Sequence, residues 1–190
     1  NMKSILINVE KEVWHMYKKI YKCPLDDIIL TSDGTYLTGL YFKNSNDAKK
    51  HIDNYTEKDL EIFDETIKWL DIYFSGNNPN FTPKYKIKLT DFEQQVTDIM
   101  NKIPFGKTIT YGQIAEIIAK KKGIEKMSSQ AVGNAVGKNP ICIIIPCHRV
   151  MGKDNNLTGY GGGLKNKIGL LQIEGNDISK YKIPKKGNKL

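Results

Sequence analysis

Cys147, His148 and Arg149 carry the densest chemistry in the chain, set at the end of the apolar run Ile141–Ile145 by Pro146. A thiol beside an imidazole and a guanidinium sits in a positive field, which favours the nucleophilic thiolate. Side chains of adjacent residues diverge, so a direct Cys147–His148 ion pair is not expected, and a water bridging the two groups is easier to build. The imidazole then needs an acceptor on its other nitrogen to fix its orientation. The nearest downstream carboxylates are Asp154, Glu174 and Asp177, and Glu174 follows the apolar segment 170–173, which suits a rigid, partly buried position. The run TGYGGG at 158–163 gives open backbone that approaches a ligand closely. Cys142, inside the apolar run, reads as a buried and inert core thiol.

These groups need a scaffold, and the chain supplies the signals for one. Residues 25–42 read as a hairpin: Ile28 and Leu30 alternate, Asp33-Gly34 is a turn dipeptide, and Tyr36, Thr38, Leu40 and Phe42 continue the second strand. Residues 57–75 read as a helix whose apolar face is Leu60, Phe63, Ile67, Leu70 and Phe74. The stretch from Gly76 to Lys86 is a loop. Thr90–Glu93 and Thr110–Gln113 fit capping boxes, in which two side chains satisfy orphan backbone donors. The first opens a helix facing inward through Phe92, Val96, Ile99, Met100 and Ile103, broken by Pro104 and Gly106. The second opens a helix facing inward through Ile114, Ile117 and Ile118, closed by Gly123. A third helix over 129–138 buries Val132 and Val136 and is stopped by Asn139-Pro140. Its small residues, with two glycines that cost about 1 kcal/mol each against alanine, fit either a narrow groove or tight helix packing. The two short helices resemble a helix-turn-helix.

The charge is uneven. The chain has a net charge of +8, from 29 Lys and Arg against 21 Asp and Glu. Residues 1–88 hold 13 lysines and 13 acids, so the whole excess lies in 89–190. A neutral half joined to a basic half suggests a polyanion for the second, with nucleic acid the first candidate. A general lysine bias explains the excess equally well. The charge boundary and the 76–86 loop coincide, which predicts an N-terminal domain over 1–88 and a C-terminal domain over 89–190. Three cysteines cannot pair completely and the charged start does not read as a secretory signal, so the chain reads as cytoplasmic with reduced thiols. No apolar run has the length of a membrane span. Zinc-type ligand spacing is missing, and only a scattered set of Cys23, His15 and His51 remains for a metal.

The segment Pro146–Val150, PCHRV, matches the active-site signature of the O6-alkylguanine-DNA alkyltransferases, or methylated-DNA–protein-cysteine methyltransferases. IPFGKTITYGQIA at 103–115, QAVGNAVGKNP at 130–140, LTGYGGGL at 157–164 and KIGLLQIEG at 167–175 resemble that family in order and spacing. The resemblance implies an α/β N-terminal domain, a small sheet with helices, followed by a mainly helical C-terminal domain containing a helix-turn-helix. It implies irreversible, single-turnover transfer of an alkyl group from O6-alkylguanine, and from O4-alkylthymine, to Cys147, with no metal or organic cofactor. His148 acts through water as the base, and Glu174 orients it. Tyr111 helps rotate the damaged nucleotide out and polarises the leaving guanine, and Asn139 is the hinge. Tyr111, Gly112, Gln130, Ala131, Gly133, Lys138 and Lys153 face DNA, in the minor groove. Lys107 is a further source of phosphate contact. Pro146, Val150, Tyr160, Gly161 and Lys167 form the substrate pocket, and Arg149 is a structural anchor. The protein is expected to act as a monomer on duplex DNA. Gln130 stands where the family often has arginine. The competing reading is a non-catalytic, alkyltransferase-like lesion binder.

Overall fold

The computed structural model describes residues 16–52 and 54–184. His15 and the charged start of the chain lie outside the described residues. The expected hairpin is present as β2 (Ile28–Ser32) and β3 (Leu37–Phe42). Asp33 builds the turn by accepting from the amides of Thr35 and Tyr36 at 3.0 and 2.8 Å. An irregularity at Thr31/Ser32 pairs Ser32 with Leu37 and skips Thr38. Leu37, not Tyr36 or Thr38, therefore enters the core beside Leu40 and Phe42. A strand absent from the sequence reading, β1 (Tyr17–Tyr21), pairs antiparallel with β2. A two-residue strand, β4 (Thr56–Glu57), pairs parallel with β1, which gives the order β3-β2-β1-β4. The short α1 (Asn46–His51) follows β3, capped by the Ser45 hydroxyl.

Helix α2 (Glu61–Phe74) starts later than expected and shows a different inner face. Phe63 and Leu70 are buried, but so are Ile62, Thr66, Trp69 and Tyr73, while Leu60, Ile67 and Phe74 are only partly covered. The helix is covered over a broad stripe because it packs on the sheet and also against the C-terminal half. The following loop is pinned: the Trp69 indole donates to the Phe81 carbonyl at 2.9 Å, and Leu37 exchanges backbone bonds with Lys84 and Lys86.

Both capping boxes form as read, opening α3 (Asp91–Met100) and α4 (Tyr111–Lys122), and Gly123 ends α4 in the left-handed conformation. On α4 the inward face is Ile114, Ala115, Ile118 and Ala119, and Ile117 is turned outward at 45% exposure. Helix α5 is Ser129–Val136, capped by Ser128, with Val132, Ala135 and Val136 inward. A two-residue parallel pair, β5 (Ile109–Thr110) with β6 (Val150–Met151), ties the start of α4 to the segment after Arg149. Helix α6 (Leu164–Ile173) closes the site.

The two halves share one hydrophobic core, from Ile28 in β2 to Leu170 in α6. They are also joined through backbone, with Leu40 donating to Pro140 at 2.8 Å and Cys142 donating to Leu40 at 3.1 Å. No helix among the described residues is long and apolar enough to cross a membrane.

Candidate active site

The apolar run before Cys147 is not a strand. It folds back through two three-residue turns. The Ile144 amide donates to the Cys142 carbonyl at 2.8 Å around Ile143, and the Cys147 amide donates to the Ile145 carbonyl at 2.8 Å around Pro146. Pro146 has φ −81° and ψ 60°, the values of an inverse γ-turn. Ile143 has φ 70°, a left-handed conformation that is costly for a β-branched side chain, of order 1–3 kcal/mol. Burial of its side chain and the backbone bonds to Leu40 hold it there. The Asn139 amide staples the segment. Its Oδ1 accepts from the Ile141 amide at 3.0 Å, and its Nδ2 donates to the Ile145 carbonyl at 2.9 Å and to the Cys147 sulfur at 3.1 Å.

Cys147, His148 and Arg149 form a single 3-10 turn. Cys147 is 5% exposed and His148 is fully buried. His148 Nε2 lies 2.7 Å from Glu174 Oε1, and an ionised carboxylate only accepts, so the proton is on Nε2. The other ring nitrogen, Nδ1, is buried with no protein hydrogen-bond partner among the described residues, and it is the basic one. No direct His148–Cys147 hydrogen bond is present among the described residues.

Glu174, at the C-terminal end of α6, gathers donors from four places. Arg149 Nε reaches Oε1 and Oε2 at 3.1 and 2.9 Å, and its Nη2 reaches Oε1 at 2.9 Å. The Gly106 amide donates to Oε2 at 2.9 Å, and the Tyr73 hydroxyl donates to Oε1 at 2.8 Å. Arg149 Nη1 also donates to the Ile103 carbonyl at 2.6 Å. Lys167, fully buried, donates through Nζ to the Val150 carbonyl at 2.6 Å and the Thr158 carbonyl at 3.2 Å, joining the segments on either side of the site.

The electrostatics follow from these contacts. The Cys142 thiol, with the Asn139 amide and the Lys167 ammonium, holds the Cys147 thiol below its ordinary pKa against the upward push of burial. Contact with Cys147, then burial, drives the Cys142 thiol the opposite way, well above its ordinary value. Burial, helped by Arg149 and Lys167, pushes His148 down further than Glu174 raises it, so the imidazole is neutral near pH 7. Burial acts to raise Glu174, but His148 and Arg149 outweigh it and hold the carboxyl at about 2. Burial lowers Lys167 to about 8 and raises Tyr111 to about 12.

Above this buried layer lies a cleft of about 1210 Å³. Its lining includes Tyr111, Gly112, Gln130, Gly133, Lys138, Lys153, Tyr160 and Gly161. Ala131 is not on its wall. Pro146, Val150 and Lys167 are buried beside Cys147, not on the cleft surface. The Tyr111 hydroxyl donates to the Gly159 carbonyl at 3.1 Å, which ties the glycine-rich loop across the cleft. Lys138 is not a free cation: it pairs with Glu93 at 2.7 Å. Gln130 is exposed and bonds Asn134 at 3.3 Å. A methyl group added at Gly133 would meet nothing closer than the Tyr111 ring at 3.9 Å, so protein packing does not require that glycine. Gly161 is different: a methyl there would run into the Asp47 carboxylate.

Tyr73, Gly106, Asp47 and Cys142 are contributors that the sequence reading did not place at the site. Cys142 is buried as expected, but its thiol lies against the nucleophile. For Tyr73, the only signal was an aromatic residue one position off the expected helix face.

The chemistry on offer is attack by one activated sulfur, which makes the class a cysteine-dependent transferase. Known proteins narrow it. Residues 16–87 match the ribonuclease-like domain of 6-O-methylguanine DNA methyltransferase, and residues 91–176 match its DNA binding domain. The chain therefore belongs to the 6-O-methylguanine DNA methyltransferase family. Over 163 residues it is 40% identical to the methylated-DNA–protein-cysteine methyltransferase of Methanosarcina acetivorans, covering 84% of this chain and 99% of that protein. The corresponding protein of Haemophilus influenzae is 37% identical, over 84% of this chain and 86% of its own. The crystal structure of Mycobacterium tuberculosis O6-methylguanine methyltransferase superposes with a TM-score of 0.69 at 35% identity, covering 84% of this chain and 92% of that one. The Mycobacterium tuberculosis OGT in complex with DNA gives the same TM-score at 34% identity, covering 88% and 94%.

Proposed function

We propose that this chain repairs DNA by moving the alkyl group of O6-alkylguanine, and of O4-alkylthymine, onto its own Cys147 in a single irreversible turnover. The observation that carries this reading is the Cys147 thiol, lowered in pKa beside a neutral imidazole whose far nitrogen is tied to Glu174. His148 Nδ1 takes the thiol proton through a bridging water. The sulfur attacks the alkyl carbon, the carbon–oxygen bond breaks, and the bonding electrons leave with the guanine, which the neutral Tyr111 hydroxyl polarises as a hydrogen-bond donor. The thioether is stable, because its dealkylation would need a nucleophile at the alkyl carbon and a thiolate as leaving group, so the sulfur is not regenerated. A turnover of one per molecule follows.

The domains divide near residue 88, and the C-terminal domain binds duplex DNA as a monomer. Helices α4 and α5 act as a helix-turn-helix laid in the minor groove, which is about 6 Å wide. The spare room at Gly133 supports this over tight internal packing. The target base leaves the stack, at a cost of a few kcal/mol that a weakened pair reduces. Gln130 enters the space it vacates. Lys153 and Lys107 contact phosphate, and Lys138 joins them by exchanging Glu93 for DNA. The Val150 carbonyl reads the guanine amino group with the lone pair that Lys167 leaves free. The reaction takes place where thiols stay reduced.

The test is mass spectrometry after incubation with a duplex oligonucleotide carrying O6-methylguanine. One methyl group appears on the peptide containing Cys147, and Cys147→Ala binds the duplex without reacting. Tight binding by the unaltered chain, with the Cys147 peptide unmodified, would make it a lesion binder instead.

A further inference from the structure

The site contains a second sulfur that alkyl transfer does not use. Cys142 and Cys147 are 2% and 5% exposed. The two γ-turns at Ile143 and Pro146, with the Ile145 amide donating to the Ile141 carbonyl at 3.1 Å, fold the intervening backbone back on itself and make the two buried thiols interacting neighbours. One atom marks how tightly the segment converges: Asn139 Nδ2 is 3.4 Å from the Ile141 carbonyl, 2.9 Å from the Ile145 carbonyl and 3.1 Å from Cys147 Sγ. The third cysteine, Cys23, is half-buried and donates to the Asp26 carbonyl at 3.3 Å. It serves as an internal control.

We propose that Cys142 and Cys147 are a peroxide-modified pair, in which hydrogen peroxide oxidises Cys147 and Cys142 then closes a reversible disulfide. The Cys147 thiolate attacks one peroxide oxygen, the O–O bond breaks, and hydroxide leaves to take up a proton as water. Cys147 is now a sulfenic acid. The Cys142 sulfur attacks it, the S–O bond breaks, and the hydroxyl leaves with the Cys142 proton as a second water. Two electrons pass from the sulfur pair to peroxide, and the balance closes at one disulfide and two waters. A sulfenic acid without a neighbouring thiol goes on to sulfinic acid, which simple thiols do not reverse. Cys142 thus stands between the nucleophile and permanent loss. The depth of the pair suits a small uncharged oxidant and excludes a bulky disulfide. The proposal needs Cys147 to be the reactive sulfur and does not depend on guanine as the substrate.

The experiment treats the protein with hydrogen peroxide, blocks remaining thiols, and digests it with trypsin without reduction. Cleavage after Lys138 and Arg149 leaves both cysteines in one peptide, residues 139–149. That peptide should lose the mass of two hydrogens, and methyl transfer should be lost and then recovered with dithiothreitol. In Cys142→Ala, and in Cys142→Ser as a second variant, the same peptide should gain oxygens and transfer should stay lost after dithiothreitol. Oxygen gain on Cys147 in the unaltered chain, a cross-link to Cys23, or equal recovery with and without Cys142 would overturn the proposal. Protein first reacted with methylated DNA should no longer form the disulfide, because a thioether cannot. Disulfide in that sample would leave the pair intact but remove Cys147 as the alkyl acceptor, so the two readings fail separately.

Discussion

Tyr73→Phe isolates the one contact by which the N-terminal half holds the catalytic carboxylate. The substitution removes a hydroxyl and leaves the ring, so the stacking on Trp69 at 5.5 Å and the edge contact with Phe105 at 5.9 Å remain. What is lost is the 2.8 Å donation to Glu174 Oε1, together with the longer 3.3 Å contact of the hydroxyl with His148 Nε2. A hydrogen bond to a charged group contributes about 1.5–3 kcal/mol. Glu174 keeps His148, Arg149 and the Gly106 amide, so the low end applies, at about 1.5 kcal/mol. For a chain of this size that is roughly 3–6 °C in the melting midpoint, read by circular dichroism. The transfer rate should respond differently. With one donor fewer, Glu174 becomes the better acceptor for His148, the imidazole becomes more basic, and the pH at which transfer switches on should move upward. The rate at its plateau should fall by less than about tenfold, the equivalent of about 1.4 kcal/mol. An unchanged melting midpoint would refute the hydrogen-bonding argument. A loss of several hundredfold at the plateau with an unmoved pH profile would mean that Tyr73 takes part in the reaction itself.

Three other outcomes follow from the same geometry. Glu174 is held at about 2, below its ordinary 4.5, so its stabilisation is complete above pH 4.5 and is lost as the pH falls towards 2. It amounts to on the order of 3 kcal/mol; urea unfolding at pH 7 and pH 3 should show the loss, and Glu174→Gln should flatten that part of the curve. Gly133→Ala should raise the stability of the free protein by up to about 1 kcal/mol, because helix propensity improves and no atom is in the way. The same change should weaken DNA binding, and unchanged binding would move the groove contact away from α5. Gly161→Ala should slow transfer by displacing the loop from Asp47, and Asp47→Ala should restore it. Additive effects in that double-mutant cycle would show that the two residues are not in contact.

How much of this could be read beforehand depends on where the determining contacts lie. The capping boxes at Thr90 and Thr110 were legible because both partners lie within one turn. The Asp33-Gly34 turn was legible for the same reason. The phase of α2 was not, because a single-faced helical pattern assumes one neighbour and α2 has two. Tyr73 sits 101 positions from Glu174, and nothing near it in sequence marks it as a partner. The Lys138–Glu93 ion pair was not legible, because the capping-box role of Glu93 concealed its second oxygen, which takes the lysine. The Cys142 thiol was legible as buried. Its position against Cys147 depends on a left-handed Ile143, a conformation no local rule would assign to isoleucine.

The donors that converge on Glu174 arrive from 101, 68 and 25 positions away. Contacts of such long sequence separation form late, after the entropy of closing large loops has been met. During synthesis or in a partly unfolded chain, Glu174 is therefore not yet held against His148, and the base that serves Cys147 is not yet oriented. Full reactivity arises only when α6 has brought Glu174 onto His148 and Arg149. The rate at which Cys147 meets a small electrophile should thus serve as a clock for the last step of folding.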